Sequence, residues 1–155
     1  MNRQSIWSIL TAGGYATMGD GYDASGQNEN QSSAGWGYAN WITGDYYNMT
    51  QYDDATRLIN FWTTKGIKYW LMSPDNSLIQ SGTRTYALAE TGQQYVFYAA
   101  AGGNFTVNLA PGTYDAHRYN PRTGGEVLLG SKNGGSVSFT MPDSNDWVVY
   151  QPCPI

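Results

Sequence analysis

The stretch Asn104-Phe105-Thr106-Val107-Asn108-Leu109 alternates polar and apolar side chains, and beyond Pro111-Gly112 the run Thr113-Tyr114-Asp115-Ala116-His117-Arg118-Tyr119 has the texture of a second strand. Alternation has the two-residue period of an extended chain, so Phe105, Val107 and Leu109 share one face and the polar residues the other. Such a strand keeps one side in a core and one in water. Working outward, similar short runs recur at Thr85 to Ala89, Tyr95 to Ala99, Glu126 to Leu129, Ser136 to Thr140 and Trp147 to Gln151. Gly102-Gly103, Pro111-Gly112, Gly124-Gly125 and Gly134-Gly135 fall between them, where reversals need residues tolerant of positive φ or, like Pro, preset at a φ of about -65°. The spacing predicts a mainly β protein with an antiparallel β-sandwich of about seven strands over residues 76–155.

The composition agrees. Charged residues make up 13% of 155, against 19 Gly, 13 Tyr and 6 Trp, a balance that suits a loop-rich β protein and not a helical bundle. Eight Lys and Arg against 12 Asp and Glu give a net charge of -4, which leaves no basic surface to neutralise phosphates and argues against a nucleic-acid partner. Cys153 is the only cysteine, so no disulfide framework, thiolate cluster or catalytic thiol is expected. Ile6 to Ala16 is broken by Ser8, Thr11 and Gly13-Gly14 and is too short to span a bilayer. It reads as folded chain, with no signal peptide and no membrane partner.

Upstream of the sandwich the texture changes. Ile6, Trp7 and Leu10, with Gly13 as a stop, predict a short helix over Arg3 to Ala12, and Gly14 to Met18 a short strand. Gly19 to Asn48 is a long loop rich in Gly, Ser, Asn, Tyr and Trp, and its aromatics argue against disorder. Thr50 to Lys65 is the clearest helix: Thr50 and Asp53 form a capping-box variant, Met49, Tyr52, Ala55, Leu58, Ile59 and Trp62 recur at helical spacing, and Gly66 supplies the stop. Two helices and a long aromatic loop over residues 1–75 are thus expected before the sandwich.

The run from Gly112 to Gly125, Gly112-Thr113-Tyr114-Asp115-Ala116-His117-Arg118-Tyr119-Asn120-Pro121-Arg122-Thr123-Gly124-Gly125, and the later Pro142-Asp143-Ser144-Asn145-Asp146-Trp147-Val148-Val149-Tyr150, resemble the C-terminal domain that carries a collagen-binding label in bacterial glycosidases. That family's pattern is a strand ending in an aromatic, then Asn or Asp, Pro, Arg, a small residue and Gly, with a closing strand entered through an acidic residue and Trp. Residues 119 to 125 and 146 to 147 keep each element. Further upstream, Arg3, Trp7, Leu10, Gly13-Gly14, Gly19, Arg57, Phe61-Trp62 and Trp70 to Pro74 resemble the last stretch of the apiosidase-like (β/α)8-barrel glycoside hydrolases. The resemblance implies that residues 1–75 are the closing elements of such a barrel, with Gly19 to Asn48 as its final loop at the active-site mouth. It also implies a secreted or periplasmic parent enzyme whose catalytic carboxylates sit on earlier strands, so that this chain carries none of them.

Asp20, Asp23, Glu29 and Asp45 share the long loop with Tyr22, Trp36, Tyr38, Trp41, Tyr46 and Tyr47. Aromatic faces stack on the C–H faces of sugar rings while carboxylates accept from hydroxyls, so Tyr22, Trp36, Tyr38, Trp41 and Tyr46 are the candidate carbohydrate contacts. The bland alternative makes the same aromatics small cores that pin a loop. Asp20 to Glu29 lacks the ligand spacing of an EF-hand, and His117 has no motif partners for zinc or a triad, so no metal or cofactor is expected and His117 reads as a surface strand residue. Asn120 to Gly124 reads as a hairpin turn, and Asp146-Trp147 as packing.

Two readings of different class follow. In the first, the chain is a non-catalytic accessory module of a glycoside hydrolase that packs on an upstream catalytic barrel and contacts polysaccharide. In the second, it is a small glycosidase using Asp20, Asp23 or Asp45, or Asp53 and Asp54. A severed barrel would expose Ile6, Trp7, Leu58 and Trp62, so a second copy of the chain is the alternative partner expected to cover them.

Overall fold

The computed structural model describes residues 3–15 and 50–152. Helix α1 spans Arg3–Thr11 and helix α2 spans Thr50–Thr64, both close to the bounds that apolar spacing predicts. Gly66 follows α2 at φ +70°, a left-handed conformation that Gly adopts without a Cβ penalty and that ends the helix. Gly14 and Tyr15 form no strand, and the remainder of the strand expected there lies outside the described residues.

Seven strands follow: β1 (Ser73–Pro74), β2 (Ile79–Ser81), β3 (Thr85–Glu90), β4 (Gln94–Ala99), β5 (Asn104–Tyr119), β6 (Glu126–Thr140) and β7 (Trp147–Gln151). All pairings are antiparallel, in the order β1-β3-β4-β7-β5-β2, with β6 also on β5. The number of strands agrees with the sequence, but the strands are not the same ones. The runs expected on either side of Pro111-Gly112 are one strand, β5, and those on either side of Gly134-Gly135 are one strand, β6. Pro and Gly mark a corner there and not a reversal: the register slips between Leu109 and Thr113, and the β5–β6 ribbon passes from one sheet layer to the other. Gly134 is required at this corner, because a Cβ on it would run into the main chain of Ala110 and Pro111. β1 and β2 were not expected, being two and three residues long and too short to carry a period.

The ribbon makes the sandwich. The first half of β5 pairs β2, with Ile79 opposite Val107, while its second half pairs β7, with His117 opposite Tyr150. Between the layers lie Ala87, Tyr95, Phe97, Phe105, Val107, Leu109, Phe139, Trp147 and Val149. The opposite face of β3, β4 and β7 presents Leu88, Val96, Tyr98, Val148 and Tyr150 to the helices, where Ile6, Trp7, Leu58, Phe61, Trp62 and Ile67 complete a second core. β4 and β7 are therefore buried on both sides, which explains why their sequences read as unbroken apolar runs. The architecture has three layers: helices, main sheet, second sheet. Ile6, Trp7, Leu58 and Trp62, expected at an exposed edge, are instead 5, 0, 8 and 8% exposed, because the sandwich's own outer face covers them.

Candidate functional site

Three side-chain groups stand out on the helix side of the main sheet. The first is an aromatic seam. Trp7 stacks on Tyr98 with ring centroids 5.7 Å apart and meets Phe61 edge-on at 5.0 Å. Phe61 in turn touches Tyr119 at 5.0 Å and Tyr150 at 5.1 Å. Aromatic pairs in such geometries contribute about 0.5–1.5 kcal/mol each beyond their area burial. Tyr119 also donates its hydroxyl to the Arg57 carbonyl of α2 at 3.1 Å.

The second group is an arginine-carboxylate lattice centred on Asp146, which has 0% side-chain exposure. Arg3, the only charged residue of α1, grips it in a two-pronged contact, Nε to Oδ2 at 2.9 Å and Nη2 to Oδ1 at 3.0 Å. Tyr98 donates its hydroxyl to the same carboxylate at 3.2 Å, and Arg122 lies 3.6 Å from it while donating to the Asp146 carbonyl at 3.3 Å. The pairing with Asp146 outweighs burial and raises the Arg3 pKa, while burial first and the Asp146 charge second push the Tyr98 hydroxyl well above its ordinary value. Trp147 lies beneath the Arg122 and Arg118 guanidinium groups, 4.8 and 5.2 Å from its ring centre. Its indole N–H donates to Asp143 at 2.7 Å, and this bond holds the Asp143 carboxyl below the usual range.

The third group sits at the C-terminal end of α2. Glu126 of β6 accepts from Lys65 and, at 2.5 Å, from the Tyr150 hydroxyl, and lies 2.8 Å from Nδ1 of His117. Burial pushes the Glu126 carboxyl up, but the Lys65 and Tyr150 hydrogen bonds and the Lys65 and His117 charges outweigh it and leave it below its ordinary value. His117 is thus not a plain surface residue: it is half-buried, paired with Glu126 and stacked on Tyr150 at 5.1 Å.

Chemically the contacts of these groups are those of a clamp. Every carboxylate in the lattice is matched by a cation. Asp53 and Asp54, offered by the sequence as alternative acids, face Arg57 at 3.6 and 3.1 Å, and Asp54 also faces Arg3 at 3.5 Å. Asp20, Asp23 and Asp45, with Tyr22, Trp36, Tyr38, Trp41 and Tyr46, lie outside the described residues. Among the described residues no three His, Cys, Asp or Glu side chains come together as a metal site. Sequence reasoning singled out Asp146-Trp147 as packing and missed the charge half of it. The signal was a lone arginine on an otherwise uncharged amphipathic helix and an acid directly before a core strand.

Comparison with known proteins agrees with the fold. No curated protein matches the chain. Solved structures do, among them one titled "Glycoside hydrolase", 19% identical with a TM-score of 0.60 over 71% of this chain and 27% of that one, and a glycoside hydrolase family 5 protein from Bacteroides vulgatus ATCC 8482, 19% identical with a TM-score of 0.61 over 86% of this chain and 29% of that one. The chain thus spans under a third of the length of either, and at this identity the likeness is one of fold. A family model described as "Putative collagen-binding domain of a collagenase" matches residues 73–150, from the first strand to the last and including the Asn120 turn and the Asp146-Trp147 entry. With just over half of its length inside that match, the chain belongs to this family of sandwich domains.

Proposed function

We propose that this chain is a non-catalytic accessory module of a glycoside hydrolase, and that its sandwich is a brace: a rigid outer face on which the two preceding helices are clamped. The observation that carries the reading is the continuous core shared by α1, α2 and the main sheet, closed at one end by the Arg3–Asp146 pair and at the other by Lys65–Glu126. Surfaces joined by a flexible linker are more polar than this and move relative to one another. Here a fully buried Trp7 and a fully buried carboxylate cross the junction, so a catalytic unit that ends in these helices is held at a fixed angle to the sandwich.

The finer resemblance, to the apiosidase-like barrels, is part of the proposal, as are a secreted or periplasmic parent and contact with polysaccharide. Collagen is not included as a partner. The test is hydrolysis of a panel of aryl glycosides and plant polysaccharides by the purified chain. Absence of turnover is expected. Turnover that survives repurification and disappears in Asp20→Asn, Asp23→Asn or Asp45→Asn would instead establish a compact glycosidase.

A further inference from the structure

We propose that Asn133 is a site of covalent self-modification, where the main-chain nitrogen of Gly134 displaces the Asn133 side-chain amide and leaves an aspartate or isoaspartate at the corner of the β5–β6 ribbon. Asn133-Gly134 is the only Asn-Gly step in the sequence. Glycine has no Cβ to shield its own nitrogen, so that nitrogen can approach the preceding side chain more closely than in any other residue. Asn133 is exposed, which gives water and hydroxide access to the reacting atoms.

The fold adds two features that the dipeptide alone does not have. In a regular ladder each residue is held extended by its partner, which keeps a side chain away from the next main-chain nitrogen. Here the register runs from Asn133 opposite Thr113 directly to Gly135 opposite Leu109, so Ala110, Pro111 and Gly112 stand against Gly134 alone and the ladder is interrupted at the nitrogen that attacks. The second feature is the Thr113 hydroxyl, which donates to Asn133 Oδ1 at 3.2 Å. That oxygen takes up negative charge when the amide carbon is attacked, and a donor already in place stabilises it. Other described asparagines lack the combination: Asn120 precedes Pro121, whose nitrogen bears no hydrogen, while Asn76, Asn104 and Asn108 precede Ser77, Phe105 and Leu109.

The reaction needs only water. The Gly134 nitrogen gives up its proton and bonds to Asn133 Cγ, the Cγ–Nδ2 bond breaks, and ammonia leaves with that proton, closing a five-membered cyclic imide. One water then opens the ring at either carbonyl. Breaking the bond between the Gly134 nitrogen and Cγ restores the main chain with an aspartate side chain; breaking its bond to the Asn133 main-chain carbonyl leaves isoaspartate, whose main chain runs through Cβ and Cγ. Isoaspartate lengthens β6 by one atom where the ribbon passes between layers, and either product adds a negative charge. Gly134 has no slack to absorb the longer path, since it already packs against the main chain of Ala110 and Pro111. The corner is thus expected to loosen as the site converts.

The test is incubation of the whole folded chain in mildly alkaline buffer made with heavy-oxygen water, followed by peptide mapping with mass spectrometry and isoaspartyl methyltransferase labelling. Conversion at Asn133 with uptake of one heavy oxygen is expected, about tenfold faster than at Asn76, Asn104, Asn108 or Asn120. Thr113→Val should slow it several-fold; Thr113 is exposed, so the variant is expected to keep the parent's circular dichroism. The converted fraction should unfold at a lower temperature than fresh protein, and Asn133→Gln incubated alike should show no such drop. The urea-unfolded chain, incubated in parallel, separates dipeptide from fold: conversion there with none at Asn133 in the folded chain overturns the proposal. So does a folded-chain rate that Thr113→Val leaves unchanged, and an equal thermal drop in Asn133→Gln overturns the link to the corner.

Discussion

Arg3 and Asp146 stand 143 positions apart in the chain and meet through two hydrogen bonds of 2.9 and 3.0 Å, with the carboxylate wholly removed from water. A buried carboxylate is retained only when paired, and its pairing here fastens the first turn of α1 to the entrance of β7.

The losses from removing the two partners are therefore predicted to be less than additive. Arg3→Met leaves Asp146 with Tyr98 and the more distant Arg122, and is expected to cost about 3 kcal/mol, the lower end of the range for a broken buried pair. Arg3→Met combined with Asp146→Leu should lose less than the sum of the single changes. Chemical unfolding of the four proteins measures the coupling; additive losses would mean that the pair does not fasten the helix.

The second prediction concerns the unit that folds. The family match begins at residue 73, and the sequence texture places a boundary between 75 and 76, yet Leu88, Val96, Tyr98, Val148 and Tyr150 are covered by residues of α1, α2 and the segment after them. A fragment beginning at residue 73 is expected to be aggregated or to bind a hydrophobic dye, and Trp7→Ala in the whole chain to cost about 3–5 kcal/mol. A soluble fragment with cooperative unfolding would show the sandwich to be independent.

How far the sequence revealed this can be traced residue by residue. Alternation in Asn104 to Leu109 and the turn chemistry of Asn120 to Gly125 were sufficient for strands and hairpin; the Asn120 side chain accepts from the Arg122 N–H as such turns require. What was hidden was the corner at Pro111-Gly112, since a bent strand and two strands with a turn have the same local texture. The two-sided burial of β4 was visible as the apolar run Tyr95 to Ala99, but not what covers its second face, because pairing of Trp7 with Tyr98 is a contact between distant segments with no local signature. The candidate sugar contacts Tyr22, Trp36, Tyr38, Trp41 and Tyr46 came from composition and stay on that footing.

Stability should fall at both ends of the pH scale, for different groups. Glu126 is held below its ordinary value, so its contribution is full above the unfolded-chain pKa of about 4.3 and is lost as pH falls through the lower folded value. Tyr98, Tyr119 and Tyr150 are all raised, chiefly by burial, so their contribution is full below about pH 10 and is lost as pH rises further, where the unfolded chain ionises and the folded one resists. Thermal unfolding between pH 3 and 11 checks both limbs. Glu126→Gln should flatten the acid limb, and Tyr150→Phe part of the alkaline limb; limbs unchanged in both variants would remove these groups from the account.

Gln151 offers a way to stabilise the protein. It ends β7 with no exposure, and neither its amide nitrogen nor its carbonyl oxygen has a partner within the described residues. A buried amide without hydrogen bonds costs about 1–3 kcal/mol relative to one that is satisfied, and an apolar side chain of similar shape avoids that penalty. Gln151→Met keeps the length and flexibility of the side chain, and its neighbours across the strand pair, Tyr95 and the β4 backbone, need not move. The expected result is a rise in melting temperature of several degrees with an unchanged denaturant slope. A fall in melting temperature would show that the buried Gln151 amide is not a net cost to the fold.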